Sequence, residues 1–191
     1  GRPRTYGIIA DDYETLRATV ERAVSETDMV LVSGGSSVGT RDYTVEALSA
    51  LSGARLLAHG ISISPGKPTI LAAVGQVPFW GLPGHVVSAM VVFAVLVRPF
   101  LHRLAGADDG KRFHHRWQAR MTRNVASAQG RVDYVRVRLK DENGEIWADP
   151  VLGKSGLIHT MVAADGLVAI DMNSEGLDKG SAVSVIPLLE R

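Results

Sequence analysis

The residues best suited to chemistry lie in the run Ser33-Gly34-Gly35-Ser36-Ser37-Val38-Gly39-Thr40-Arg41-Asp42. Glycines let a backbone approach a ligand closely, hydroxyls add donors, and a helix N-terminus adds its dipole, so the run suits a phosphate-bearing anion. The same residues also make a tight glycine turn in which Asp42 is only a helix cap. Neither the Walker spacing nor G-x-G-x-x-G is present, which weighs against nucleotide hydrolysis and dinucleotide binding. Two further turns share the composition. Ser64-Pro65-Gly66-Lys67-Pro68 holds one ammonium between prolines, and Gly81-Leu82-Pro83-Gly84-His85 opens a long apolar stretch. Each alone is an ordinary turn, whereas loops that converge at one end of a sheet form a ligand crevice.

Asp11, Asp12, Asp28 and Asp42 are the carboxylates available to a hard, oxygen-seeking ion such as Mg²⁺, although Asp11 and Asp42 also suit helix capping. The six histidines, His59, His85, His102, His114, His115 and His159, lack metal-ligand spacing, which argues against a zinc enzyme. Gly153-Lys154-Ser155 does not complete a P-loop, because position 148 is Ala and Pro150 intervenes. Arg131, Arg136 and Arg138 with Tyr134 resemble a basic nucleic-acid strand, but period-two alternation predicts Arg136 and Arg138 on a solvated face. Arg131, in the turn Gln129-Gly130-Arg131, is freer to reach a ligand.

These residues must be positioned by local elements. Asp11-Asp12-Tyr13-Glu14 predicts a capping box and a helix over about 12–25, with Leu16, Val20, Ala23 and Val24 on one face. Met29-Val30-Leu31-Val32 predicts a buried strand that ends at the glycine run. A helix is expected over 42–51, strands over 54–64, 69–74 and 77–80, and a long helix over 85–104. This alternation implies an α/β layer with a mostly parallel sheet. Beyond a linker at 105–110 the pattern turns to strands: Val135, Val137 and Leu139 alternate with basic residues, and Asn143-Gly144 predicts a hairpin. Leu167 to Ile170 and Val183 to Leu188 add strands, so residues 106–191 are expected to form a small, mainly β domain after an α/β domain at 1–105.

The 191 residues carry 21 Lys and Arg against 20 Asp and Glu, a net charge of +1. There is no bulk field to steer nucleic acid or an acidic membrane surface. Without cysteine there is no disulfide framework and no thiolate site, which fits a reducing, cytoplasmic setting. Val86 to Val97, the longest apolar-leaning run, has 12 residues and reads as a buried helix, short of the roughly 20 that span a bilayer. No secretory signal pattern opens the chain. Its first residue is Gly rather than Met and no clear first strand precedes residue 11, so the chain is expected to be the C-terminal piece of a longer one.

In order, the motifs Ser33-Gly34-Gly35-Ser36-Ser37-Val38-Gly39, Asp42-Tyr43-Thr44, Pro65-Gly66-Lys67-Pro68 and Gly81-Leu82-Pro83-Gly84 with Val87-Ser88 resemble those of the molybdopterin molybdenumtransferases, the MoeA and gephyrin E-domain family. Gly130-Arg131-Val132-Asp133-Tyr134-Val135-Arg136 and Ser155-Gly156 resemble that family's C-terminal β domain. The resemblance implies a three-layer α/β molybdopterin-binding domain and an enzyme that inserts molybdate or tungstate into adenylylated molybdopterin with Mg²⁺, releasing AMP. By match to the family's motifs, Asp11, Asp42 and Lys67 are the expected catalytic residues, with Asp42 also holding the metal. Ser33, Gly34, Gly35, Ser36, Ser37, Gly39, Pro68, Pro83, Gly84, Arg131 and Ser155 are expected to bind the pterin or its phosphates, Arg131 reaching in from the β domain. The family's active site forms between two subunits, so a homodimer is expected in the full-length protein. A molybdopterin adenylyltransferase is an expected partner, with no role for nucleic acid or membrane. Gly60 and Ser64 stand where the family carries lysines, and His85-Val86 replaces its Asn-Pro. By itself the chain is expected to be inactive, and the alternative reading is a non-catalytic binding or scaffold module.

Overall fold

The computed structural model describes residues 1–10, 12–34, 43–107, 116–153 and 156–188. In chain order the elements are α1 (Tyr13–Glu26), β1 (Val30–Ser33), α2 (Tyr43–Ser49), β2 (Ala54–His59), β3 (Ile63–Ser64), β4 (Ile70–Val74) and β5 (Val77–Leu82). There follow α3 (Val86–Val92), a π-helical turn at Phe93–Val97, α4 (Arg98–Leu104), β6 (Trp117–Met121), β7 (Val125–Ala126) and β8 (Val132–Glu142). The last are β9 (Glu145–Pro150), α5 (His159–Val162), β10 (Gly166–Ile170), β11 (Gly176–Leu177) and β12 (Ala182–Pro187). Two compact units emerge, Gly1–Ile61 with Gly66–Phe93, and Ser62–Pro65 with Ala94–Arg191.

The first unit is built on an open sheet in the order β1-β5-β4-β2. Val20 and Ala23 of α1, Leu48 of α2, Val30, Ala72, Val74 and Phe79 form one core cluster on its helical face. Phe79, Trp80, Gly81 and Leu82 are buried in succession, so both faces of β5 are covered, as a three-layer arrangement requires. The sheet is not mostly parallel. Of its three bonded pairs, β1–β5 is parallel, while β4 is antiparallel to both β5 and β2. The physical reason is the two-residue connection between Val74 and Val77, which admits a hairpin but not the dozen or more residues of a crossover. Nor is 54–64 one strand. The chain leaves β2 at Gly60, whose φ is +83°, and the short β3 pairs with β8 in the other sheet.

The cap of α1 falls one residue later than the capping box predicts: Asp12 is the N-cap and its carboxylate accepts from the Thr15 N–H at 3.0 Å. The helical stretch Val86–Leu104 is 19 residues long and apolar enough, by length and composition, to cross a membrane. It is not the wholly buried helix its composition suggests, since Val87, Val91, Val92 and Val97 are buried while Val86, Met90 and Phe93 are exposed.

The second unit is a ring of strands. Its sheet runs β10-β12-β6-β9-β8-β3, and β10 pairs back onto β8, which closes five strands into a barrel. Each of the five sends one fully buried residue to the centre: Met121, Val137, Ala148, Val168 and Val185. Asn143 and Gly144, at φ 58° and 85°, make the tight turn between β8 and β9, as the hairpin signal predicts. Arg136 is not on a solvated face. It is 9% exposed, donating from Nη2 to the Gly153 carbonyl at 2.8 Å and from Nη1 to the Thr160 hydroxyl at 3.0 Å. Gly153 and Thr160 cover that side of β8, and burial lowers the guanidinium pKa.

Candidate functional site

The first unit gathers its unusual turns at one end of the open sheet. β1 and β5 are parallel with Ser33 opposite Leu82, so Ser33-Gly34 and Pro83-Gly84 leave the sheet side by side at the carboxyl ends of their strands. The Gly34 N–H donates to the Leu82 carbonyl at 3.2 Å. A Cβ on Gly84 would stand 3.6 Å from the Gly34 Cα, so the two turns touch backbone to backbone. Gly34 also has φ +97°, a conformation that side chains rarely adopt. Since its N–H is committed to Leu82, Gly34 contributes a bare backbone surface rather than a donor.

The Lys67 turn reaches the same end by a different route. It precedes β4, and because β4 is antiparallel to β5, Ile70 lies opposite Gly81. Gly81 must be glycine there, as a Cβ would fall 2.9 Å from the Ile70 Cβ. The turn is held by the Ile61 N–H to the Lys67 carbonyl at 2.9 Å, and by the buried Thr69 hydroxyl to the Gly66 carbonyl at 2.7 Å. Lys67 is exposed, with Pro68 half-buried beside it. An ammonium on a fixed backbone beside exposed turns is a means of attracting an anion without ordering a long loop.

A cleft of about 860 Å³ lies beside β1, lined by Thr5–Ala10, Asp12, Ser33, Gly34 and Tyr43 among others. Ser33 and Gly34 therefore face it, whereas Lys67, Pro68, Pro83 and Gly84 sit at the sheet end without lining it. Hydrogen bonds from Thr15 hold the Asp12 carboxyl below the usual carboxylate range. The composition of the glycine run points to this region, but Asp12 and Tyr43 as cleft residues were not legible, because they meet β1 only through the packing of α1 and α2.

In the second unit, Arg131 is less free than its turn suggests. Its Nε donates to Asp133 Oδ1 at 2.8 Å. Burial raises the Asp133 pKa, but hydrogen bonds from Ser127, Arg131 and Ser64 outweigh it and hold the carboxyl below its ordinary value. The sequence places Asp133 in the same motif as Arg131 without giving it a role, and its bond to Arg131 is visible only in the structure.

Asp11, Gly35, Ser36, Ser37, Gly39, Asp42 and Ser155 lie outside the described residues. Among the described residues no group of three His, Asp or Glu converges as an ion would need. Asp12 is committed to its helix cap. Asp11 and Asp42, the carboxylates expected to serve Mg²⁺, lie outside the described residues, and the described ones by themselves assemble no site for it.

Residues 1–103 match the family described as "Probable molybdopterin binding domain", and residues 118–188 match "MoeA C-terminal region (domain IV)". The molybdopterin molybdenumtransferase of Haemophilus influenzae is 31% identical over 183 residues, covering 95% of this chain and 45% of that protein. The molybdopterin molybdenumtransferase of Bacillus subtilis is 24% identical over 189 residues, covering 98% of this chain and 43% of that protein. Among solved structures, the molybdopterin biosynthesis MoeA protein from Pyrococcus horikosii aligns with a TM-score of 0.80 and 35% identity, over 97% of this chain and 43% of that one. The chain thus spans less than half the length of these relatives.

Proposed function

The chain belongs to the probable molybdopterin binding domain family and carries a MoeA C-terminal region, and from this premise we propose that it acts in molybdenum cofactor biosynthesis as part of a molybdopterin molybdenumtransferase. The substrates in this reading are adenylylated molybdopterin and molybdate or tungstate, and AMP is released as the metal enters the dithiolene. One observation carries the reading: Gly34 and Gly84 meet without side chains between them at the end of two parallel strands. A phosphorylated pterin can approach such a surface closely, and Lys67 supplies positive charge at the same end of the sheet. Positioning and charge stabilisation account for much of the catalysis of phosphoryl chemistry.

Calorimetric titration of the full-length protein with adenylylated molybdopterin tests the reading, and absence of binding would overturn it. Asp42→Asn should abolish molybdate-dependent AMP release while leaving the circular dichroism spectrum unchanged; retained activity would remove Asp42 from the catalytic set. The same reading includes a cytoplasmic homodimer supplied by a molybdopterin adenylyltransferase, with Mg²⁺ required for turnover and a domain boundary near residue 106. Sedimentation of the full-length protein tests the dimer.

A specific feature favours a second reading, a non-catalytic pterin-binding module. Gly60 stands where the family carries a lysine, and its φ of +83° is one that a lysine would adopt only with strain. Ser64 stands at the second such place. Tight binding of adenylylated molybdopterin without AMP release would select this reading.

A further inference from the structure

One carboxylate in the second unit draws together donors from separate segments. Asp133 Oδ1 accepts from Arg131 Nε at 2.8 Å, and its Oδ2 accepts from Ser127 Oγ at 2.7 Å and lies 3.5 Å from Arg131 Nη2. Ser64, which is its register partner on β3, also directs a hydroxyl to it. The Asp133 side chain is 14% exposed and that of Arg131 47%. The carboxylate is therefore sheltered and held from two further sides, while the guanidinium it binds extends toward solvent.

A solvent-exposed arginine samples many rotamers, and a ligand that binds it must bear the cost of ordering it. Here the Nε edge is fixed on Asp133. Among the described residues nothing accepts from Nη1, which leaves that edge of the planar fork for an anion. The serines make this more than a surface ion pair, because they orient the carboxylate that orients the arginine.

We propose that Asp133 is a positioning residue that presets the Arg131 guanidinium for an anionic substrate. The proposal rests on the reading that Arg131 contacts adenylylated molybdopterin. In the full-length protein, Asp133→Asn and Arg131→Ala should each weaken binding of that compound by roughly tenfold, as loss of a hydrogen bond to a charged group does. The double variant should be no weaker than Arg131→Ala alone, since a residue that acts only through Arg131 has nothing left to contribute. Wild-type affinity in Asp133→Asn, or an equal loss with and without Arg131, would overturn the proposal.

A ligand-free measurement separates this inference from the function it rests on. The Arg131 Nε–H should be ordered in nitrogen-15 relaxation of the wild type and mobile in Asp133→Asn. If the wild-type titration is silent but Nε–H is ordered, the functional reading fails and the positioning holds. A mobile Nε–H in the wild type overturns the positioning, and that result does not depend on any variant folding.

Discussion

The two units solve the problem of sheet edges in opposite ways. Among the described residues the first forms an open sheet with β1 and β2 outermost, and Leu31 and Leu57 of those strands are 41% and 59% exposed. A bulge between Leu56 and Ala58 disrupts the β2 edge, one of the devices that discourage pairing with another chain. The second closes β10, β12, β6, β9 and β8 on themselves. The open sheet presents turns at one end where Gly34 and Gly84 approach each other without side chains. The closed barrel instead holds charged side chains in place: Arg131 on Asp133, Arg136 on Gly153 and Thr160, Lys140 on Asp149. The contrast is between a surface shaped by missing side chains and one shaped by fixed ones.

The largest effect should come from the open sheet's core. Phe79 is fully buried there, and Phe79→Ala should cost about 4 kcal/mol. Hydrogen exchange should show the loss in β4 and β5 while β8 and β10 keep their protection, and an equal loss in both units would break the contrast between them. Next is Gly81→Ala, which forces a methyl group against Ile70 and should cost about 2 kcal/mol in denaturant unfolding. A neutral result would mean that β4 and β5 are free to separate. Asp12→Ala should lower the melting temperature by less than either, through loss of the α1 cap.

The smallest effect concerns acid. Asp133 and Asp149 in the barrel both lie below their ordinary pKa, Asp149 because Thr122 and Lys140 bond to it. A carboxyl depressed in the folded state binds protons less readily than in the unfolded chain. Its stabilisation is therefore complete above about pH 4 and lost as pH falls through the folded value. Melting curves from about pH 6 down to 2 should be flatter for Asp133→Asn than for the wild type, and identical slopes would argue that the carboxylate adds nothing to the barrel's rigidity.

Local signals were legible where chemistry is local. The α1 helix is within a residue of its expected span, and Asn143-Gly144 forms the turn its composition predicts. The glycine and proline turns were identifiable as site candidates because their composition is unusual. Strand direction was less accessible: nothing in Ile70-Leu71-Ala72-Ala73-Val74 specifies antiparallel pairing, and only the shortness of the link to Val77 does so. That reversal is what brings Lys67 to the sheet end shared by Gly34 and Gly84. Arg136 misled for the opposite reason. Its alternation with Val135 and Val137 fits a half-solvated strand, but the segment that buries it lies 15 or more residues further along the chain. Period-two reasoning treats one face as solvent and has no information about a loop that later covers it.

The closure of the barrel has a consequence for time as well as shape. Strand β8 is bonded along its length by β10 from Asp133 to Val137 and by β9 from Val137 to Glu142, with β3 at its start. Its amides cannot be released by peeling an edge, because the ring must first be cut at a second place. Fraying from a free edge is therefore hindered over Asp133–Val137, the stretch of β8 that carries Asp133 and Arg136 and that closes the ring against β10. Asp133 and Arg136 thus hold their partners from a strand anchored at its two ends by different neighbours.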